Sequence, residues 1–449
     1  MAMRFLFALI MMCAPTALAA KPGPSAAIDA YVAPFVETNN FAGSILVARD
    51  ETTIFARAYG GANREGRLPN KLKTRFHVAS MSMQFTAAAA LRLIDAEKLS
   101  LSTPVADVLP DYPNGRAITI GNLLTQTSGI ADINAQEGYA EILTHHQTPL
   151  SLVERMRDVP ALRQPGTYDR EEHSAFNLLA LIIERKTGLS FPDAVQRLVF
   201  KPIGMADSGI DDDRPEASLR AAKGYEPVSL YDLRPADTIH WSAKAGNGSA
   251  YTTVEDELKF VRAVTGSSFL SPKLRDTMFD LGARVGYGWF KSNNARFGEP
   301  VYYMNGRAPG FSSAVVYIPG RKLFVAALSN IYASVPTDVA YDIAALCLGL
   351  PYQPLALATN VDTGSLAGLP ASFQFPKDFY QSNAIVRVAP ADGRVILHWP
   401  SGDTSPLIPV TKDRYIDRSY WVAVEVQRDA GGAVTALKYD RFIGERTGN

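Results

Sequence analysis

Residues 169–173 read Asp-Arg-Glu-Glu-His, which sets an imidazole directly behind two carboxylates. An imidazole titrates near 6.5 and is a good base at neutral pH, and a nearby carboxylate can orient its ring and stabilise its charged form. His173, with Glu171 or Glu172 as orienter, has the chemistry of a base for a hydroxyl, provided the fold sets one beside it. The same residues have a plainer reading. Asp169-x-x-Glu172 resembles a capping box ahead of a helix, where acids are favoured by the backbone dipole whatever the chemistry, and His173 would then bond a backbone group.

Other reactive side chains offer less. The six histidines, at 77, 145, 146, 173, 240 and 398, make no HExxH or other recognisable ligand spacing, and the His145-His146 pair alone is weak evidence for metal. His77 reads as a packed core histidine. Gly60-Gly61 and Gly246-Asn-Gly248 lack the strand, glycine-rich turn and helix context of a phosphate cradle, so no cofactor is expected. Cys347 sits in a largely apolar helical run and reads as a buried small hydrophobe. Trp241, Tyr251, Tyr302 and Tyr303 could line a cleft, although buried aromatics are the default.

These residues need elements to hold them. Gly43 to Ala48 and Thr53 to Tyr59 flank a polar turn and read as a hairpin; Ser313 to Ile318 and Leu323 to Leu328, split by Pro319-Gly320, read as a second. The four strands suit one antiparallel sheet. Between them, Met83 to Ala96, Ile120 to Leu124, Phe176 to Lys186 and Val254 to Val264 carry helical periodicity. The expected class is α/β in the α+β sense, an antiparallel sheet flanked by helices plus a helical lobe. Residues 355–372, rich in Ala, Thr, Gly, Ser and Pro, read as a linker after a main domain of 25–354. Residues 373–449 then read as a small all-β domain, with short strands divided by Asp392-Gly393 and Gly431-Gly432.

The 449 residues balance 45 Lys+Arg against 45 Asp+Glu, which argues against nucleic acid as a partner, and 47% apolar content excludes a disordered chain. Arg4, the apolar run from Phe5 to Cys13 and Ala17-Leu18-Ala19 have the pattern of an export leader over residues 1–19, so a periplasmic or secreted location is expected. That run is too short to span a bilayer, and no later one is longer. With Cys13 lost alongside such a leader, Cys347 has no disulfide partner.

The text from Arg75 to Ile133 resembles the serine β-lactamase, D-alanyl-D-alanine peptidase and esterase superfamily of the class C type. Pro165-Gly-Thr167, Phe176 to Leu179, Pro202 to Ser208, Gly246 to Asp256, Pro309 to Ser313 and Leu328-Ser-Asn330 extend the likeness over nearly all of residues 25–350. The resemblance implies a β-lactamase/transpeptidase-like fold and a nucleophilic serine in Ser-x-x-Lys, placed here at Ser80, with Met83 where the lysine belongs. The family's Tyr-x-Asn falls on Glu171 and His173, and its Lys-Thr-Gly or His-x-Gly on Met304-Asn305-Gly306. A thioether cannot relay a proton, so all three motifs have lost their usual proton-handling groups. Two functions follow. One is impaired or altered catalysis in a protein that binds a peptide, peptidoglycan fragment or acyl compound, with Met83, Met304, Asn305, Gly306 and Arg307 at its pocket and Arg307 offered to a substrate carboxylate. The other is an active esterase or amidase using Ser80 with a rewired His173/Glu171 base.

Overall fold

The computed structural model describes residues 24–168, 172–214, 219–228, 232–279, 285–332, 335–353, 368–381, 383–391, 394–400, 404–420 and 422–447. The expected leader over residues 1–19, most of the expected linker, and Glu171 lie outside the described residues.

Both expected hairpins form and join one antiparallel sheet of seven strands. Its spatial order is Val285–Gly286, Trp289–Ser292, Val301–Ala308, Phe311–Ile318, Leu323–Ser329, Gly43–Arg49 and Thr52–Tyr59. Leu323–Ser329 is buried along its whole length because it is covered on both faces. Its side chains alternate between two cores, as the period of a pleated strand requires. Leu323, Val325 and Ala327 meet the helices Pro24–Glu37 and Pro336–Cys347, whereas Phe324, Ala326 and Leu328 join the core that contains Met83–Asp95 and Val254–Thr265. Cys347 ends the covering helix half-buried, its thiol pushed up to about 11 by burial.

The helical lobe is built around His173–Thr187. Every residue from Ser174 to Ile183 in that helix is buried, so it is a central element rather than an amphipathic surface helix. Pro149–Arg157 and Ile120–Leu124 pack beside it, each started by a threonine capping box, at Thr148 and Thr119 respectively. Met83–Asp95 packs against it too, and the four alanines Ala87 to Ala90 are fully buried there.

Residues 371–446 close into a barrel of eight antiparallel strands. The sequence shows only some of them. Thr404–Pro409 carries two prolines and Arg414–Asp417 is four residues long, too little pattern to read unaided. The barrel is seated on the main domain by Arg418, which is fully buried and donates to Asn40 Oδ1 at 3.0 Å and to the Asn39 carbonyl at 3.2 Å. No described helix is long and apolar enough to cross a membrane.

Candidate active site

Ser80 lies in the tight turn Ala79–Ser82 that leads into Met83–Asp95. Ala79 before it has φ of +50°, a left-handed conformation that a side chain ordinarily avoids, so the turn is held by its surroundings. Those restraints are visible: the Val78 amide donates to the Ala250 carbonyl at 3.0 Å, Ser313 Oγ to the Val78 carbonyl at 2.8 Å, and the Ala250 amide to Ser82 Oγ at 2.9 Å. Gly306, on the strand Val301–Ala308, passes so close that an added Cβ would lie 2.2 Å from the Val78 oxygen and 2.7 Å from the Ser80 nitrogen. Only glycine lets the strand backbone approach the serine this closely.

Ser80 Oγ is 3.2 Å from His173 Nε2, and His173 Nδ1 is 2.9 Å from Asp132 Oδ2. With its Nδ1 proton donated to Asp132, the ring turns the Nε2 lone pair toward the serine hydroxyl, the tautomer a general base needs. His173 is the first residue of its helix, and Asp132 caps the short turn Ile133–Ala135, accepting the Asn134 amide on its other oxygen at 3.0 Å. The two segments are tied by the Ile133 amide donating to Ser174 Oγ at 2.8 Å.

Among the described residues it is Asp132, not Glu172, that faces the imidazole; Glu171 lies outside them. Glu172 is 1% exposed and accepts the Ser128 amide at 2.9 Å, the Ser128 hydroxyl at 2.6 Å and the Gly129 amide at 3.0 Å, and it is paired with Arg163. Its own amide donates to Gln126 Oε1 at 3.0 Å. Glu172 itself stands at the cap position and makes no side-chain cap bond, and Asp169, the other half of the box pattern, lies outside the described residues. A buried carboxylate with four donors is satisfied where it is. Its effect is to hold residues 126–132 against the helix start, which places Asp132.

The two facing groups open on a cavity of about 470 Å3 lined by Ser80, His173, Lys244, Asn305, Gly306 and Arg307 among others. Met83 and Met304 do not line it; both are fully buried in the main core, where an uncharged thioether packs without needing water. Arg307 donates to the Ser419 carbonyl at 2.8 Å and lies over the rings of Tyr332 and Tyr420, so the barrel contributes Tyr420 to the rim. Tyr302 donates its hydroxyl to the Phe279 carbonyl at 2.6 Å, and Trp241 stacks on His77 at 3.8 Å beside a separate cavity of about 790 Å3. His77 is buried and bonded to Asp211 at 2.8 Å.

One amine was missed by reading the sequence alone. Lys244 is 8% exposed, lines the cavity and donates to the Tyr139 hydroxyl at 2.7 Å. Burial lowers its ammonium to about 8, with Asp132 pulling the other way. Nothing in Ser242-Ala-Lys-Ala-Gly-Asn-Gly248 has catalytic spacing to Ser80, 164 residues earlier; only the fold brings the two to one cavity.

Known proteins place this architecture. The chain is 24% identical over 437 residues to penicillin-binding protein 4* of Bacillus subtilis, covering 90% of this chain and 94% of that one. It is 29% identical over 253 residues to esterase EstB of Burkholderia gladioli, covering 53% of this chain and 64% of that one. The octameric penicillin-binding protein homologue from Pyrococcus abyssi superimposes with a TM-score of 0.66 at 22% identity, covering 93% of this chain and 99% of that one. Residues 28–348 match the family described as Beta-lactamase, and the chain belongs to that family.

Proposed function

We propose that this protein is a serine hydrolase of rewired acid–base chemistry, acting on an ester or activated acyl compound. The observation that carries the reading is the continuous relay from Ser80 Oγ through His173 to Asp132 at the wall of an open cavity. In the forward step the Ser80 oxygen attacks the substrate carbonyl while its proton passes to His173 Nε2; Asp132 stabilises the imidazolium so formed. The developing oxyanion meets the Ser80 amide and the strand backbone that follows Gly306. His173 returns the proton to the leaving alcohol or amine, and water repeats the sequence to free the acid. This relay replaces the base normally supplied from Ser-x-x-Lys and Tyr-x-Asn.

The loss of those family motifs from this chain favours a second reading, a binding protein for a peptide or peptidoglycan fragment without turnover. The leader pattern supports an extracytoplasmic setting for either. Hydrolysis of p-nitrophenyl acetate by the wild type, Ser80→Ala and His173→Ala separates the two. The relay predicts a saturable rate that falls by about 10² or more in both variants. Equal rates in all three would leave the binding role.

A further inference from the structure

His146, Asp213 and His240 are far apart in the sequence and meet on the surface of the helical lobe. One potential ligand atom from each lies within 4.8 Å of the other two. His146 Nδ1 is 2.9 Å and His240 Nδ1 3.1 Å from the same carboxylate oxygen, Asp213 Oδ2. Those separations are close to the edge of a zinc coordination tetrahedron, which for bonds of about 2.0 to 2.2 Å is roughly 3.3 Å. The other carboxylate oxygen is already fixed, accepting the Trp241 amide at 2.9 Å, so Oδ2 alone is turned toward the two rings. Such a restraint on the far side of a ligand is what orients metal-binding carboxylates.

The backbone around the cluster is likewise set. Asp213 has φ of +70° and its amide donates to Asp211 Oδ1 at 2.7 Å; the His240 amide donates to the Leu143 carbonyl at 2.8 Å, and the Gln147 amide to Ser242 Oγ at 3.0 Å. Of the neighbouring acids, Asp211 is bonded to His77 and Asp212 pairs with Arg214, so Asp213 is the carboxylate left to the two rings. The side chains of His146 and His240 are 56% and 44% exposed, which leaves an entry path and open coordination positions for water.

We propose that His146, Asp213 and His240 form a binding site for a divalent transition-metal ion of the zinc class. Two imidazoles and one carboxylate select a borderline ion over magnesium or calcium, which prefer all-oxygen shells. Each histidine ligates through Nδ1 and carries its proton on Nε2. The ion is a staple for the catalytic wall. His240 begins the turn Trp241–Lys244 that delivers Lys244 to the cavity, and His146 follows the helix Tyr139–Ile142 that supplies the hydroxyl bonded to Lys244. Metal thus joins, on the outside, the same two segments that Lys244 and Tyr139 join on the inside.

The test uses the untagged full chain, stripped with EDTA and titrated with zinc chloride by calorimetry, with thermal unfolding in parallel. The site predicts a single equivalent bound, a rise in Tm with zinc and none with magnesium. Affinity falls at least about tenfold in His146→Ala and in His240→Ala, whose thermal unfolding without metal serves as the check on folding. His173→Ala keeps the full stoichiometry, which separates the site from the catalytic imidazole. Absence of saturable zinc binding overturns the proposal, as does unchanged affinity in His146→Ala and His240→Ala, or loss of the bound equivalent in His173→Ala.

Discussion

Asp132 is the residue on which the relay turns, because it decides which nitrogen of His173 carries the proton. Asparagine there would offer an N–H where an acceptor is needed and favour the wrong tautomer. We expect Asp132→Asn to lower kcat by about 10² to 10⁴ with little change in KM, read from steady-state ester hydrolysis. An unchanged kcat would remove Asp132 from the relay. Lys244 carries a second prediction at this scale. Its folded value is lowered from 10.5 to about 8 by burial, so below pH 8 both folded and unfolded chains hold the proton and the fold bears the cost of a buried charge. Between pH 8 and 10.5 the unfolded chain binds more protons, and stability conferred by this group rises with pH. Wild type should therefore gain Tm relative to Lys244→Met across that interval; parallel profiles would show that the ammonium is not desolvated. His173 was legible as a candidate base because an imidazole stands where the family has asparagine. Asp132 and Lys244 were not, since no local spacing links residues 41 or more positions apart that loops and turns bring together.

Elements set the distances. The strand Val301–Ala308 and the turn Ala79–Ser82 nearly touch at Gly306, and both are fastened by Ser313, which bonds the Val78 carbonyl. In Gly306→Ala the new methyl would meet backbone atoms on the Ser80 turn, which cannot rotate aside as a side chain tip would. We expect the strand to be displaced and ester hydrolysis lost, with the rest of the sheet retained by circular dichroism. Wild-type turnover in that variant would show that close approach is not needed. The hairpins and the helix at Met83 were readable because strand and helix periods dominate there. The role of Glu172 was not: a capping-box pattern and a buried strut look identical in sequence, and only the amides of Ser128 and Gly129 distinguish them.

On the scale of the whole molecule, the barrel is part of the site. Arg418 anchors it to Asn39 and Asn40, Asp417 Oδ1 accepts the amides of Ser419 and Tyr420, and the turn so shaped gives its Ser419 carbonyl to Arg307. Removing the anchor in Arg418→Ala leaves Asn40 Oδ1 without this buried donor, so we expect faster proteolytic separation of the barrel and a raised KM for bulky acyl esters, with small acetyl esters spared. Unaltered proteolysis and KM would make the barrel a passive appendage. The sequence showed that an all-β unit follows the main domain but not its eightfold closure, because short proline-bearing strands are specified by their neighbours rather than by their own pattern.

Whether Ser80 is a working nucleophile despite the methionine at position 83 is read from intact-mass analysis after treatment with a fluorophosphonate. We expect one covalent adduct mapped to Ser80, formed slowly or not at all in His173→Ala and absent in Ser80→Ala. An unlabelled wild-type protein, or an adduct that persists in Ser80→Ala, would contradict it.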